Sequence, residues 1–209
     1  MDGYQIRVVI GDDHPIVRGG IIAIVNDQHD MDVVAEASNG KELVDMVMQN
    51  RPDVTLVDLR MPQLSGLDAI QAIKEYWSAA RFVVLTTFDG DEDIYRALQA
   101  GAQAYLLKDT PRSELLETIR LVYKGHKRIP PEIAAKLAER ITSSELTERE
   151  IDVLREIANG FSNKEIGFRL NITEGTVKAH VNSILNKLGV SDRTQAVTTA
   201  LKRGIVHLD

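Results

Sequence analysis

Ile6-Arg7-Val8-Val9-Ile10-Gly11-Asp12-Asp13 decides how the rest of the chain is read. A short β-branched run that stops at two carboxylates is a buried strand with charge at its carboxyl end. The same form recurs at Val33-Val34-Ala35, at Val54-Thr55-Leu56-Val57 before Asp58, at Phe82-Val83-Val84-Leu85-Thr86 and at Ala104-Tyr105-Leu106-Leu107. Between these runs, residues 15–26, 41–49 (behind a capping Asn39), 65–77, 91–101 and 112–124 read as helices. Strands alternating with helices predict an α/β fold: a doubly wound, five-stranded parallel sheet covered on both faces. Right-handed crossovers then place any ligand site beyond the carboxyl ends of the strands.

Composition sets the outer bounds. The 209 residues are 44% hydrophobic and 27% charged, with a net charge of -6, which is ordinary globular protein with room for two cores. The longest apolar run, Ile21 to Val25, is far too short for a membrane span. No cysteine is present, so disulfides, thiolate zinc sites and cysteine nucleophiles are excluded. With no export signal visible, a cytoplasmic protein without a membrane partner is expected. Charge divides unevenly: residues 1–125 carry 12 Lys and Arg against 20 Asp and Glu, whereas residues 126–209 carry 13 against 11. Acidic and mildly basic halves point to two domains with different partners.

The joint lies near Lys124-Gly125-His126-Lys127-Arg128 and Pro130-Pro131. A short helix is expected over Glu132–Ile141, then Thr142-Ser143-Ser144. Beyond it the strands cease. Thr147 to Glu150 and Ser162 to Glu165 read as capping boxes, Thr173 caps a longer helix ending before Gly189, and Asp192 caps the last. The expected domains are therefore 1–125, a linker over 126–145, and an all-α four-helix helix-turn-helix unit over 146–209.

Asp12, Asp13 and Asp58 end neighbouring strands, so three carboxylates converge. A pair about 5 Å apart repels by roughly 3 kcal/mol at an effective dielectric near 20, which calls for a cation or raised pKa values. An all-oxygen set with open positions suits Mg²⁺. Thr86 and Lys108 reach the same rim, adding a hydroxyl and an ammonium for phosphoryl oxygens. The combination reads as a nucleophilic carboxylate, a metal and two donors. An aspartate alone at a strand end is more often a helix cap; the complete set is far more specific.

Residues 4–124 resemble the receiver domain of two-component response regulators, a flavodoxin-like fold. The resemblance rests on Asp12-Asp13, Val57-Asp58-Leu59-Arg60-Met61-Pro62, Leu85-Thr86-Thr87 and Leu107-Lys108. It implies that Asp58 accepts a phosphoryl group from a sensor histidine kinase. It also implies that Asp13, Asp58 and the Arg60 carbonyl hold Mg²⁺, with Asp12 acting through water. Lys108 and Thr86 would bind the phosphoryl oxygens, and Tyr105 would turn inward with Thr86 as the switch; plain core packing is the other reading of Tyr105. Two departures stand out. Asp109 follows Lys108 where many receivers carry a cis proline, and a cis bond without proline costs about 3–4 kcal/mol. Arg60 and Phe88 flank the line along which a hydrolytic water would attack, which is expected to slow loss of the phosphoryl group.

Other polar features read blandly. Asp89-Gly90-Asp91-Glu92-Asp93 has Ile94 where a calcium loop needs glycine, so it is a helix start with acids favoured by the dipole. His14, His29, His126 and His207 lack partners at ligand spacing and read as surface or packing residues.

In the helix from Thr173 to Leu188, Val177, Val181, Ile184 and Leu188 form one apolar stripe. Lys178, Asn182 and Asn186 fall on a different face, with Thr176 near the start, as a major-groove helix requires. Lys164, Lys187, Arg193 and Thr194 are candidates for the phosphate backbone. An ordinary solvated face is the competing reading. Leu146 to Val206 resembles the LuxR-type helix-turn-helix of NarL/FixJ response regulators, through Leu146-Thr147-Glu148-Arg149-Glu150, Gly160, Asn163-Lys164-Glu165-Ile166, Thr176-Val177-Lys178-Ala179-His180-Val181 and Lys187-Leu188. That resemblance implies that Lys178, Ala179 and Asn182 approach base edges of double-stranded DNA while Thr176 and Lys187 hold phosphates. His180 is read as a packing or backbone-contact residue.

The whole then reads as a phosphorylation-switched transcription regulator, not an enzyme, with a homodimer expected on phosphorylation. A phosphatase using Asp58 is disfavoured, because haloacid-dehalogenase phosphatases need an acid where Arg60 stands. The alternative is an atypical receiver, a DNA-binding regulator that works without phosphorylation.

Overall fold

The computed structural model describes residues 4–142 and 145–207, so Ser143 and Ser144 of the expected linker lie outside the described residues. The chain forms two compact units: the first holds residues up to Phe88 and Ile94–Ala134, the second Asp89–Asp93 and the residues from Ala135 on.

In the first unit, β1 (Ile6–Gly11), β2 (Met31–Ala37), β3 (Val54–Val57), β4 (Phe82–Thr86) and β5 (Ala104–Leu107) form one sheet in the order β2-β1-β3-β4-β5. Every pairing is parallel. The doubly wound sheet expected from the alternating pattern is therefore present. Strands β3 and β4 are buried along their whole length, which is why they read as unbroken apolar runs. Edge strand β2 is longer than its Val33-Val34-Ala35 centre, because its flanking Asp32 and Glu36 are exposed while their backbones still pair with β1.

Helices α1 (Pro15–Asn26), α2 (Gly40–Asn50), α3 (Gly66–Tyr76), α4 (Asp91–Gln99) and α5 (Arg112–Tyr123) alternate with these strands. One core cluster joins Val8, Ile10, Leu56, Val83 and Leu106 to Ile21 and Val25 of α1 and to Leu115 and Ile119 of α5. Each such side chain, fully buried, is worth about 1.5–3 kcal/mol. After α5 the chain returns to the sheet edge: Arg128 N–H donates to the Gln103 carbonyl at 2.9 Å, beside a parallel bridge to Ala104.

Helix α6 (Pro131–Thr142) precedes α7 (Glu148–Ala158), α8 (Asn163–Leu170), α9 (Glu174–Leu188) and α10 (Arg193–Arg203). Both predicted capping boxes form, at Thr147 with Glu150 and at Ser162 with Glu165. Val153, Leu154, Ile157, Ile166, Val177, Ile184, Ala196 and Ala200 make the helical core. The tight step from α8 to α9 runs through Asn171, which is left-handed at φ 53°. Only glycine fits at 167 in that step, since a Cβ there would sit 2.8 Å from the Ile172 carbonyl oxygen. Among the described residues no helix is long and apolar enough to cross a membrane.

Candidate functional site

Strand β1 ends at Gly11, and the chain delivers Asp12 and Asp13 immediately beyond it. Strand β3 does the same for Asp58, whose N–H donates to the Gly11 carbonyl at 2.9 Å. The two strands are neighbours on either side of the point where strand order reverses, so their carboxylates are brought together. Gly66, opening α3, packs against this turn: a Cβ there would lie 1.9 Å from the Asp58 carbonyl oxygen.

Lys108, just beyond β5, closes the site. Its Nζ lies 2.5 Å from Asp58 Oδ2 and 2.8 Å from Asp12 Oδ2. Burial works against the ammonium, but hydrogen bonds to Asp12 and Asp58 outweigh it and hold the Lys108 pKa above its ordinary value. Asp12 and Asp58 are themselves almost fully buried, so this single cation offsets two desolvated carboxylates. Asp13 stands differently. Its Oδ1 is buried without a hydrogen-bond donor. An orphaned carboxylate oxygen is costly in a closed site and is what a hard divalent cation would satisfy. One ligand atom from each of Asp12, Asp13, His14 and Asp58 can be chosen so that all lie within 4.8 Å of one another. The residues therefore fit Mg²⁺.

His14 lies at the surface, as the sequence reading expected, but the structure overturns the expectation that it has no partner at ligand spacing. Its Nδ1 is 2.7 Å from Asp13 Oδ1 and 3.6 Å from Asp12 Oδ1. The signal was its adjacency to the acid pair. His207 also has a partner, Asp93 at 3.1 Å, within the second unit. The acidic run opens α4 at Asp91, the helix start expected of it.

Thr86 and Tyr105 are both fully buried. The Tyr105 hydroxyl donates to the Phe88 carbonyl at 2.8 Å, so its ring points inward with a satisfied polar tip. Phe88 in turn lies beneath Arg60, whose guanidinium carbon is 3.7 Å from the ring centroid. Arg60 N–H donates to Asp58 Oδ1 at 3.3 Å. The two residues expected to flank the attack line thus stack on each other. Among the described residues no peptide is cis, so Lys108–Asp109 is trans.

On α9, Val177 and Ile184 are buried while Thr176, Lys178, Ala179, Asn182 and Asn186 are exposed. One face packs and the other is presented, as the periodicity predicted. Thr176 Oγ1 lies 2.9 Å from Thr173 Oγ1 at the helix start. Lys178 pairs with Glu174 one turn earlier at 2.8 Å, an exposed pair that salt weakens. Lys164 and Thr194 are exposed. Arg193 donates to the Phe161 carbonyl at 2.8 Å. Lys187 is engaged inside the unit: its Nζ is 2.7 Å from Glu150 Oε2, and Glu150 Oε1 accepts from Ser183 at 2.6 Å. Burial alone would raise the Glu150 carboxyl, but Lys187, Ser183 and Thr147 together bring it down to about 2. The capping box named Glu150; its second job, clamping α7 to α9, had no local signature.

A response regulator receiver domain matches residues 8–120, and the LuxR family of bacterial regulatory proteins matches residues 144–200. The chain is 40% identical to the uncharacterized transcriptional regulatory protein YxjL of Bacillus subtilis, over 99% of this chain and 100% of that one. It is 39% identical to the response regulator protein VraR of Staphylococcus epidermidis, over 97% and 99%. The structure of the two-component response regulator RcsB in complex with DNA superposes with a TM-score of 0.69 at 26% identity, over 95% of this chain and 98% of that one.

Proposed function

Because the chain belongs to the two-component response regulators, with a receiver domain joined to a LuxR-type DNA-binding domain, we propose that Asp58 carries the phosphoryl group and that the exposed face of α9 reads DNA. The observation that supports this most is the meeting of Asp58, Asp12 and Lys108 at 2.5 and 2.8 Å beyond three separate strands.

A carboxylate oxygen of Asp58 attacks phosphorus on a phosphohistidine of a sensor histidine kinase. The new O–P bond forms as the P–N bond breaks, and the electron pair leaves with the imidazole. Lys108 is placed to take a phosphoryl oxygen in exchange for a carboxylate oxygen, and the Thr86 hydroxyl to take another. Mg²⁺ held by Asp13, Asp58 and the Arg60 carbonyl, with Asp12 acting through water, would offset the negative charge gathered there. Arg60 stacked on Phe88 shields the acyl phosphate from water.

Phosphorylation adds about -1.5 to -2 charge, drawing Lys108 and Thr86 toward the new group. Tyr105 is the sensor of that movement, since its hydroxyl holds the loop that carries Phe88. The output is homodimerisation and tighter binding of double-stranded DNA, with Lys178, Ala179 and Asn182 at base edges and Thr176, Lys164, Arg193 and Thr194 at phosphates. Lys187 reaches a phosphate only by loosening its pair with Glu150. A full switch from 1:99 to 99:1 takes roughly 5.5 kcal/mol of differential stabilisation. A DNA-reading role implies a cytoplasmic site of action.

Incubation with acetyl phosphate and Mg²⁺, followed by intact mass, sizing and DNA binding at fixed salt, tests this. The wild type gains one phosphoryl group, dimerises and binds DNA more tightly; Asp58→Ala does none of these. If mass and DNA affinity both stay unchanged in the wild type, the phosphorylation-independent regulator replaces it.

A further inference from the structure

We propose that His14 is an additional side-chain ligand at the carboxylate site, so that the site binds borderline divalent transition cations such as Ni²⁺ more tightly than Mg²⁺. The proposal rests on the metal site assigned above and concerns which cations that site takes.

Position comes first. Pro15 at the first turn of α1 holds His14 extended, at φ -91° and ψ 105°. His14 N–H donates to Asp12 Oδ1 at 2.8 Å, which fixes the residue against the acid pair. The imidazole needs no long reach, because its Nδ1 already lies 2.7 Å from Asp13 Oδ1.

Asp13 Oδ1 is buried with no aligned donor, so the imidazole nitrogen stands beside an oxygen whose hydrogen-bonding capacity is unused. The spacing of the two atoms is also that of neighbouring ligands of one ion. Around an octahedral ion with ligands at about 2.1 Å, adjacent ligand atoms are roughly 3.0 Å apart and opposite ones roughly 4.2 Å. The His14–Asp13 separation of 2.7 Å falls near the first value, and Asp12 Oδ1, 3.6 Å from Nδ1, is left to act through water. The 4.8 Å outer span of the four-residue set needs about 0.6 Å of closure to match opposite ligands. Lys108 takes Oδ2 of Asp12, whereas Oδ1 of Asp12 is the atom on the His14 side.

Chemistry then sets the preference. Carboxylates alone suit Mg²⁺, whereas an imidazole nitrogen adds most for nickel, copper and zinc and little for magnesium. The imidazole is 67% exposed, so a cation has access without unfolding.

The test is calorimetric titration of the full chain with MgCl₂ and, separately, with NiCl₂, for wild type, His14→Ala and Asp58→Asn. The expected result is Ni²⁺ binding at least about tenfold tighter than Mg²⁺, lost by about tenfold or more in His14→Ala. Mg²⁺ affinity moves less than about twofold in that variant, and Asp58→Asn weakens both ions. Unchanged Ni²⁺ affinity in His14→Ala, with Mg²⁺ still binding, overturns the role of His14 and leaves the carboxylate site standing. No Mg²⁺ binding by the wild type overturns the site itself and this inference with it.

Discussion

The two units place their candidate site residues in opposite ways. In the first, Asp12, Asp58 and Lys108 come from three strands and are withdrawn from water. In the second, Thr176, Lys178, Ala179 and Asn182 come from one helix and stay exposed. Buried charges of opposite sign interact strongly and respond to one added charge, as a switch requires. Exposed polar and cationic side chains interact weakly with their neighbours and remain available to a polyanion, as a reader of DNA requires. The contrast is not absolute: the second unit also buries charge for its own cohesion, and one such exception is Glu150 with the half-buried Lys187.

Breaking that exception has the largest expected effect. Glu150→Ala strands Lys187, Ser183 and the Thr147 N–H, and should cost the second unit about 3–5 kcal/mol in denaturant unfolding, with phosphorylation of Asp58 unaffected. Acid should do the same reversibly. The Glu150 carboxyl is held at about 2, below its ordinary 4.5, so its contribution is complete above pH 4.5 and lost as pH falls toward 2. The loss is about 3 kcal/mol at most and should vanish from the pH-stability profile of Glu150→Gln. Next comes Gly66→Ala, whose Cβ would press on the Asp58 carbonyl; overpacking of about 1–3 kcal/mol should appear in the first unit together with slower phosphorylation. Lys178→Ala should weaken DNA binding by about tenfold and leave phosphorylation unchanged, sharpening the separation of the two units. The smallest effect belongs to Arg60→Ala: loss of a stack worth about 0.5–1 kcal/mol should shorten the phosphorylated lifetime two- to fivefold, by about that energy. An unchanged lifetime would mean that the Arg60–Phe88 stack does not shield the acyl phosphate.

Legibility in the sequence follows the same contrast. The α9 face could be read at single-residue level, because a helix repeats every 3.6 residues and Val177, Ile184 and Lys178, Asn182 sort themselves by that period alone. The strand-end acids could be read because strand order in a doubly wound sheet is nearly forced. Three features could not. The stack of Arg60 on Phe88 and the bond from Tyr105 to the Phe88 carbonyl depend on loop paths between strands. The clamp from Glu150 to Ser183 and Lys187 joins residues 33 and 37 positions apart, beyond any local period. His14 was different: its place beside Asp12 and Asp13 was visible, but spacing rules for metal ligands look for separated residues and passed over an adjacent one.

The pattern of the sequence alone determined a parallel α/β sheet followed by a helical unit, and which side chains end the strands or face outward on α9; the receiver and DNA-binding identities came from the family resemblance. Periodicity and alternation are local properties of the backbone, so they survive in one dimension. Only the tertiary structure decided which charges neutralise which: Lys108 between Asp12 and Asp58, Lys187 on Glu150, and an Asp13 oxygen left to face His14. Those pairings depend on distances of a few ångströms between distant segments, and electrostatic energy inside a protein is set by such distances and by burial.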